Sequence, residues 1–488
     1  MPVQPNHSIR ALVFGASGYI GSYLVPLLTS SGFKVRACSR SAEVLQAREW
    51  PQVEVVAADS LVPASLHNAL AGIEVAYYLV HSMSAGKHFA RLDLQAAANF
   101  AAAAEQAGVK HIVYLGGLVP KGADSEHINS RKATGEMLRN SGSVPVTELR
   151  AGIIVGPGSA AFEVMRDLVF HLPVMLTPKW VRSKSPPIAL DDLLQYLVLI
   201  ALNEQAFNKV YDTAGSEYLN YEQMMRVLAN VAGVRTPLII AVPLLSPKLS
   251  SYWLKYVSSV PTNIACALIE GLRHDFKAQD APLRELIPLP LLDFRTSVER
   301  VFAIERKNGL QSRWVEGAFS IRQQRIDVAY YAKKAGGCAF TPASPESLWR
   351  VLCTIGGNKR YFYLNFLWTL RELIDWVVGG VGRNRKRRHP SELRLGDKVD
   401  SWTVMGMEKE QRLTLQFGMR APGAGVLEFE ISQMDDGQSC IRATAYWHPA
   451  GVLGLLYWYA LDPAHWTIFK GMTKAICKQA EALEEKSD

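Results

Sequence analysis

The chain has 488 residues, more than one ordinary domain holds, and its 49% hydrophobic and 20% charged residues exclude a disordered polymer. The formal charge of +8 is concentrated in one run, Arg383, Arg385, Lys386, Arg387 and Arg388, without which the chain is close to neutral. That run reads as a solvated loop or as a contact for an anionic membrane surface, and nothing beside it resembles a helix-turn-helix or an aromatic RNA platform, which argues against nucleic acid.

The first half alternates short β-branched runs with helical stretches, the pattern of a parallel sheet covered by helices. The residues predict strands at Ile9–Phe14, Lys34–Cys38, Val53–Ala57, Val75–Val80, His111–Leu115 and Val146–Leu149. Helices are expected over Tyr19–Ser31, Leu92–Gln106 and Ala133–Asn140, with Gly32, Gly108 and Gly142 as left-handed caps that end a helix before the next strand. From about Gly156 prolines break the chain into short pieces, and helical stretches follow to about Ile321, which reads as a second lobe on the edge of the sheet. A third unit begins near Ala335, with helices at Pro345–Cys353 and Asn365–Val378. Alternating segments follow at Lys398–Met405, Arg412–Phe417, Gly425–Ser432 and Cys440–Trp447, with a hairpin turn at Asp436–Gly437 and a last helix from Trp466 to Glu484. The domains are therefore expected at 1–325, with the lobe at about 156–325, and at 335–488.

The strongest chemical signal is Gly15-Ala16-Ser17-Gly18-Tyr19-Ile20-Gly21, between an apolar strand and a helix. In that context the first glycine permits the turn and the second lets a pyrophosphate approach the backbone. The third lets the helix pack closely, while the helix N-terminus attracts the negative charge. Strand two ends in Ser39-Arg40, with no carboxylate before Glu43. A site for NAD usually carries an acid there, whereas an arginine can pair with a 2′-phosphate and a serine can donate to it. The expected cofactor is NADP(H), with Asp59 and Val80 beside the nucleotide and Asp59 as an acceptor for the adenine amino group.

These residues, with Ser130-Arg131-Lys132-Ala133-Thr134-Gly135-Glu136 and Thr147-Glu148-Leu149-Arg150-Ala151-Gly152, resemble the extended and atypical short-chain dehydrogenase/reductases, nearest the NmrA-like and complex-I-accessory-subunit-like branches. Pro187–Leu193 and Tyr211–Gly215 are similar to substrate-lobe landmarks of that superfamily. The resemblance covers about three hundred residues and implies a doubly wound α/β Rossmann domain with a small substrate lobe. The order of elements in the tail is similar to a START-like helix-grip α+β domain in a group of bacterial fusion proteins.

The departures bear on catalysis. The superfamily's reductases use a serine after strand five and a Tyr-x-x-x-Lys helix; Lys132 matches the lysine, to hold the ribose, but the tyrosine position is Ile128 and the serine position falls on Gly116-Gly117. Neither replacement can donate a proton. His81 and His127 are the candidate substitutes, each also open to an ordinary loop role, and His81 is also expected beside the cofactor. Tyr77, Tyr78 and Tyr114 read as packing residues.

The tail is rich in Trp and Phe, which form a tight core or line a pocket for an apolar or lipid-like ligand. Its apolar stretch Val452–Phe469 is interrupted by Asp462, Pro463 and His465, making it a poor membrane span. The six cysteines are dispersed, with no spacing suited to a metal, and the first residues lack the design of a signal peptide. These features point to reduced thiols in a cytoplasm, with contact to a membrane surface open. The sequence thus supports an atypical NADP(H)-dependent oxidoreductase for a hydrophobic substrate, or a non-catalytic NADP(H)-binding sensor or assembly factor.

Overall fold

The computed structural model describes residues 9–46, 48, 50–80, 89–120, 122, 125–177, 179–201, 203–241, 275–307, 328–357, 360–377, 389, 391–434 and 437–485. They fall into two compact units, one reaching Lys307 and the other starting at Val328.

The first unit opens with β1 (Arg10–Phe14), α1 (Tyr19–Ser30), β2 (Lys34–Ser39), α2 (Ala42–Gln46), β3 (Glu54–Ala57), α3 (Pro63–Leu70), β4 (Val75–Tyr78) and α4 (Phe89–Gln106). It continues with β5 (His111–Gly117), α5 (Glu126–Asn140), β6 (Val146–Ala151), α6 (Ala160–His171), α7 (Leu190–Ile200), β7 (Val210–Thr213), α8 (Tyr221–Ala232), α9 (Ala281–Leu286) and α10 (Phe294–Lys307). The seven strands form one parallel sheet in the order β7-β6-β5-β4-β1-β2-β3, a Rossmann-like arrangement. Period-two alternation divides the strands between two cores: Ala11 and Val13 pack with Leu24 of α1 and Leu193 of α7, while Leu12 and Phe14 pack with Leu66 of α3 and Phe100 of α4. The strand order reverses between β1 and β4, which opens a crevice at the carboxyl ends of those strands.

The lobe has its own core, in which Phe162 and Met165 of α6 meet Met224 and Leu228 of α8 and Val298 of α10. Arg166 and Glu305 form a buried ion pair there at 2.7 Å, the guanidinium lying over the rings of Phe170 and Phe302. Two features differ from the sequence expectation. Helix α5 starts at Glu126, a full two turns before Ala133, so Ile128, Ser130 and Lys132 are helical. Gly32 and Gly108 are left-handed, at φ of 90° and 71°, but Gly142 is not; α5 ends at Asn140 with Ser141 as its cap, and a side chain on Gly142 would meet Glu105.

The second unit comprises β8 (Lys333–Thr341), α11 (Pro345–Leu352), α12 (Asn365–Val377), β9 (Lys398–Val399), β10 (Trp402–Glu408), β11 (Arg412–Phe417), β12 (Gly423–Gln433), β13 (Ser439–Pro449) and α13 (Gly451–Glu484). Its six strands make an antiparallel sheet in the order β8-β13-β12-β11-β10-β9. Strand β8 pairs with β13 along its whole length, and α13 lies so close that a Cβ on Gly337 would stand 2.6 Å from the Lys470 nitrogen. Gly337 is a close-approach residue, where only the lack of a side chain admits the helix. The last helix begins fifteen residues before Trp466 and runs through Pro463. No helix of the described residues is long and apolar enough to cross a membrane.

Candidate functional site

The glycine-rich turn after β1 is held by its own backbone. Gly15, at φ 96°, and Ala16 donate their amides to the Cys38 carbonyl at 3.0 and 2.9 Å, and the Gly18 amide donates to the Gly15 carbonyl at 3.0 Å. A Cβ on Gly21 would stand 2.6 Å from the Gly15 oxygen and 2.7 Å from the Ala16 Cα, so only glycine lets α1 leave the turn at this angle. A Cβ on Gly18 would meet only the Gly15 oxygen, at 3.2 Å. Gly18 is the N-cap and supplies no side-chain bond, so this helix end offers backbone amides and the positive end of its dipole.

A cleft of about 260 Å³ opens beside that turn, and Gly15, Ser17, Gly18, Ser39, Arg40, Asp59 and Val80 all line it. Arg40 is exposed at the end of β2, and the residues around it, Ser39 and Ser41, are uncharged. The Ser39 hydroxyl donates to the Ser41 carbonyl at 2.5 Å, which leaves Arg40 as the side chain able to supply charge to an anion at that end. One carboxylate oxygen of Asp59 accepts the Leu61 amide at 2.9 Å, so this acid also holds its own loop. The cleft fits a dinucleotide at its adenosine and pyrophosphate end: glycine where a Cβ would intrude, a bare helix N-terminus, and a cation beyond β2.

Not every expected residue reaches the cleft. Tyr19 and Ile20 pack against the core beneath the sheet, with the Tyr19 hydroxyl so near Gly156 that a side chain there would collide with it. Gly21 acts through the turn, and Lys132 lies elsewhere, on an exposed face of α5, with its ammonium 3.8 Å from Glu136. His127 is half-buried near the start of α5, and His81 lies outside the described residues. Leu61, Leu92 and Ala96 also line the cleft, without any sequence signal beyond their apolar character.

The place of the usual proton donors is filled by a buried charge network. Glu148 on β6 is 1% exposed and is paired with Arg139 and with Arg150, the latter at 2.8 Å. A Cβ on Gly116 would stand 2.8 Å from this carboxylate, and one on Gly135 closer still, at 2.5 Å. Arg131 donates to the Leu115 carbonyl beside Gly117, and Ile128 is buried. Tyr77, Tyr78 and Tyr114 lie in the cores, where burial pushes their phenols up, away from proton donation at neutral pH.

In the second unit the aromatics divide between a core and a cavity wall. Trp349 and Phe429 are core residues, whereas Trp368, Trp402, Trp447 and Trp458 line a cavity of about 210 Å³ between α12, the sheet and α13. Trp376 and Trp466 are instead two-thirds exposed. The basic run Arg383–Arg388 and Asp436 lie outside the described residues. No group of His, Cys, Asp or Glu suited to a metal ion occurs among the described residues.

A Gly-rich turn, a bare helix N-terminus and a reversal of strand order meet in one crevice. Residues 8–236 match the NmrA-like family. Residues 338–472 match a family described as "Protein of unknown function (DUF2867)". The chain is similar to the ceramide reductase of Caulobacter vibrioides, at 24% identity over 283 residues, 57% of this chain and 88% of the relative. Its fold is similar to that of an NADPH-dependent quinone oxidoreductase from Escherichia coli solved with NADPH, at 23% identity and a TM-score of 0.50, covering 60% of this chain and all of that one. A triphenylmethane reductase of Citrobacter sp. solved with NADP(H) matches at 21% identity and a TM-score of 0.49, covering 60% of this chain and 99% of that one.

Proposed function

We propose that the NmrA-like unit binds NADP(H) and works as an atypical oxidoreductase on a hydrophobic substrate. The observation that carries this reading is Arg40 at the rim of the Gly15–Gly18 cleft, where a carboxylate would mark NAD. In this reading the backbone around Ser17 and Gly18 and the N-terminus of α1 hold the pyrophosphate, Arg40 pairs with the 2′-phosphate, and Asp59 accepts from the adenine. The bound nicotinamide supplies the hydride chemistry. Lys132, which lies outside the adenosine and pyrophosphate end of the cleft, would hold the nicotinamide ribose beyond it, and His81 or His127 would deliver the proton that Ile128 and Gly117 cannot. The names of the relatives, a ceramide reductase and an NADPH-dependent quinone oxidoreductase, support a reductase and a hydrophobic substrate.

A second reading is favoured by one specific arrangement: Glu148 and Arg131 crowd the position of the usual serine, and the tyrosine position is a buried isoleucine. A non-catalytic NADP(H)-binding sensor or assembly factor needs the cleft and none of the proton donors. Titration with NADPH and NADH tests the shared part, with NADPH expected to bind the tighter and equal affinities refuting it. NADPH oxidation with ceramide-type ketones, quinones and short aldehydes separates the two: turnover restricted to the hydrophobic carbonyls supports the enzyme, and none with any of them supports the sensor.

A further inference from the structure

The second unit folds around a space that its own side chains do not fill. The cavity of about 210 Å³ lies among Trp402, Phe417, Trp447, Trp458 and Phe469, residues large enough to close a core if they served one. Protein interiors are packed as densely as organic crystals, so a void of this size walled by aromatics is a binding volume by default.

Four lining residues carry a buried polar atom without a hydrogen-bond partner, Trp402 at Nε1 and His465 at Nδ1 among them, and the two on α12 supply the second observation. Nη1 of Arg371 and Nε1 of Trp368 are buried and have no hydrogen-bond partner, and both residues line the cavity. They stand three residues apart on α12, hence on one face of it. Arg371 is otherwise tightly fixed. Its Nε donates to the Tyr457 hydroxyl at 3.0 Å and its Nη2 to the Arg420 carbonyl at 2.9 Å, and the guanidinium lies against the rings of Phe417 and Tyr457. Its Nη1 comes no closer than 3.9 Å to Asp375, whose carboxylate accepts the Arg420 amide at 2.6 Å. A held arginine with one N–H left over, next to an indole N–H left over, is a donor pair prepared for acceptor oxygens.

The position of the opening gives the ligand its polarity. Leu370 and Ile374 line the cavity and are 52% and 49% exposed, so the mouth lies along α12 beside Arg371. His465 also lines the cavity, between the rings of Trp458 and Phe469, and burial pushes it down to about 4 and keeps it neutral, so it offers no charge to a head group. We propose that this cavity binds a single-chain amphiphile, with its hydrocarbon chain among Trp447, Trp458 and Phe469 and its acceptor-bearing head on Arg371 and Trp368 at the mouth. The site belongs to the second unit alone and does not depend on the reductase reading.

The test uses the purified full chain without nucleotide. Dodecanoate and dodecyltrimethylammonium, which share a chain length but differ in having or lacking head-group acceptors, are titrated below their aggregation thresholds while tryptophan fluorescence is followed. Dodecanoate is expected to give a saturable change at one equivalent, with the cationic probe at least ten times weaker. Arg371→Met should weaken dodecanoate at least tenfold. Ala464→Phe and Ala445→Phe, which fill the cavity from the helix side and from the sheet side, should abolish binding, with circular dichroism confirming that each remains folded. The proposal is overturned by an absence of saturable binding, as a cavity holding only water would give. Equal binding of the two probes overturns it too, as does undiminished binding in a folded Arg371→Met protein or in either filled variant. NADPH titration of the same samples reports on the first unit separately, so failure of one reading leaves the other standing.

Discussion

The Glu148 carboxylate occupies the space that any side chain on Gly116 would need: a Cβ built there stands 2.8 Å from its Oε1. Glu148 cannot swing aside at little cost, because Arg139 and Arg150 hold both of its oxygens and it is 1% exposed. The glycine near the end of the fifth strand is thus imposed by a buried ion network centred on the adjacent strand. Gly116→Ser should destabilise the first unit by about 1–3 kcal/mol through overpacking against a fixed charge. Gly117→Ser, whose nearest neighbour is Arg131 at 3.5 Å, should cost less. Urea denaturation of the two variants checks this, and equal losses would show that the carboxylate moves freely.

The glycines of the turn divide their tasks. Gly21→Ala places a Cβ on the turn backbone and should unfold the turn, lowering the melting temperature of the first unit by several degrees. Gly18→Val should leave the fold within about 1 kcal/mol of the parent while removing NADPH affinity, because the side chain would project where a pyrophosphate approaches. Thermal melting alongside NADPH titration separates the two effects.

Arg40 carries the cofactor preference. A charge-assisted bond to a 2′-phosphate contributes about 1.5–3 kcal/mol, or about one to two decades of affinity. Arg40→Ala should therefore weaken NADPH by about 10- to 100-fold and leave NADH nearly unchanged. Measured dissociation constants for both nucleotides, before and after substitution, decide it; a parallel loss for NADH would assign Arg40 to the fold instead.

His465 makes the second unit sensitive to acid. Burial lowers its pKa from 6.5 to about 4, so between those values the unfolded chain binds a proton that the folded chain refuses. Stability therefore falls as pH drops from about 6.5 towards 4, by up to about 1.4 kcal/mol per pH unit. His465→Phe keeps a ring between Trp458 and Phe469 and removes the titration. Its loss of stability between pH 7 and pH 5 should be the shallower of the two, and identical pH profiles would show that His465 is hydrated.

The sequence alone determined the parallel α/β architecture of the first unit and the cleft residues Gly15, Ser17, Gly18, Ser39, Arg40, Asp59 and Val80, since both follow from local patterns: two-residue alternation in strands, glycine spacing at a turn, and charge just after a strand. It could not place Tyr19, because which face of a helix points at a cleft depends on how that helix docks, not on its order in the chain. Tertiary structure alone decided three things. It paired β7, at Val210–Thr213, with β6 across some sixty residues of intervening lobe. It paired the glycine-rich β8 with β13 along its whole length and brought α13 down onto Gly337. And it set Glu148 beneath Gly116, so that the absence of a serine there reflects a charge on the neighbouring strand. Each of these is a contact between residues far apart in the chain, and side-chain packing at such contacts, not propensity or spacing, chose the outcome.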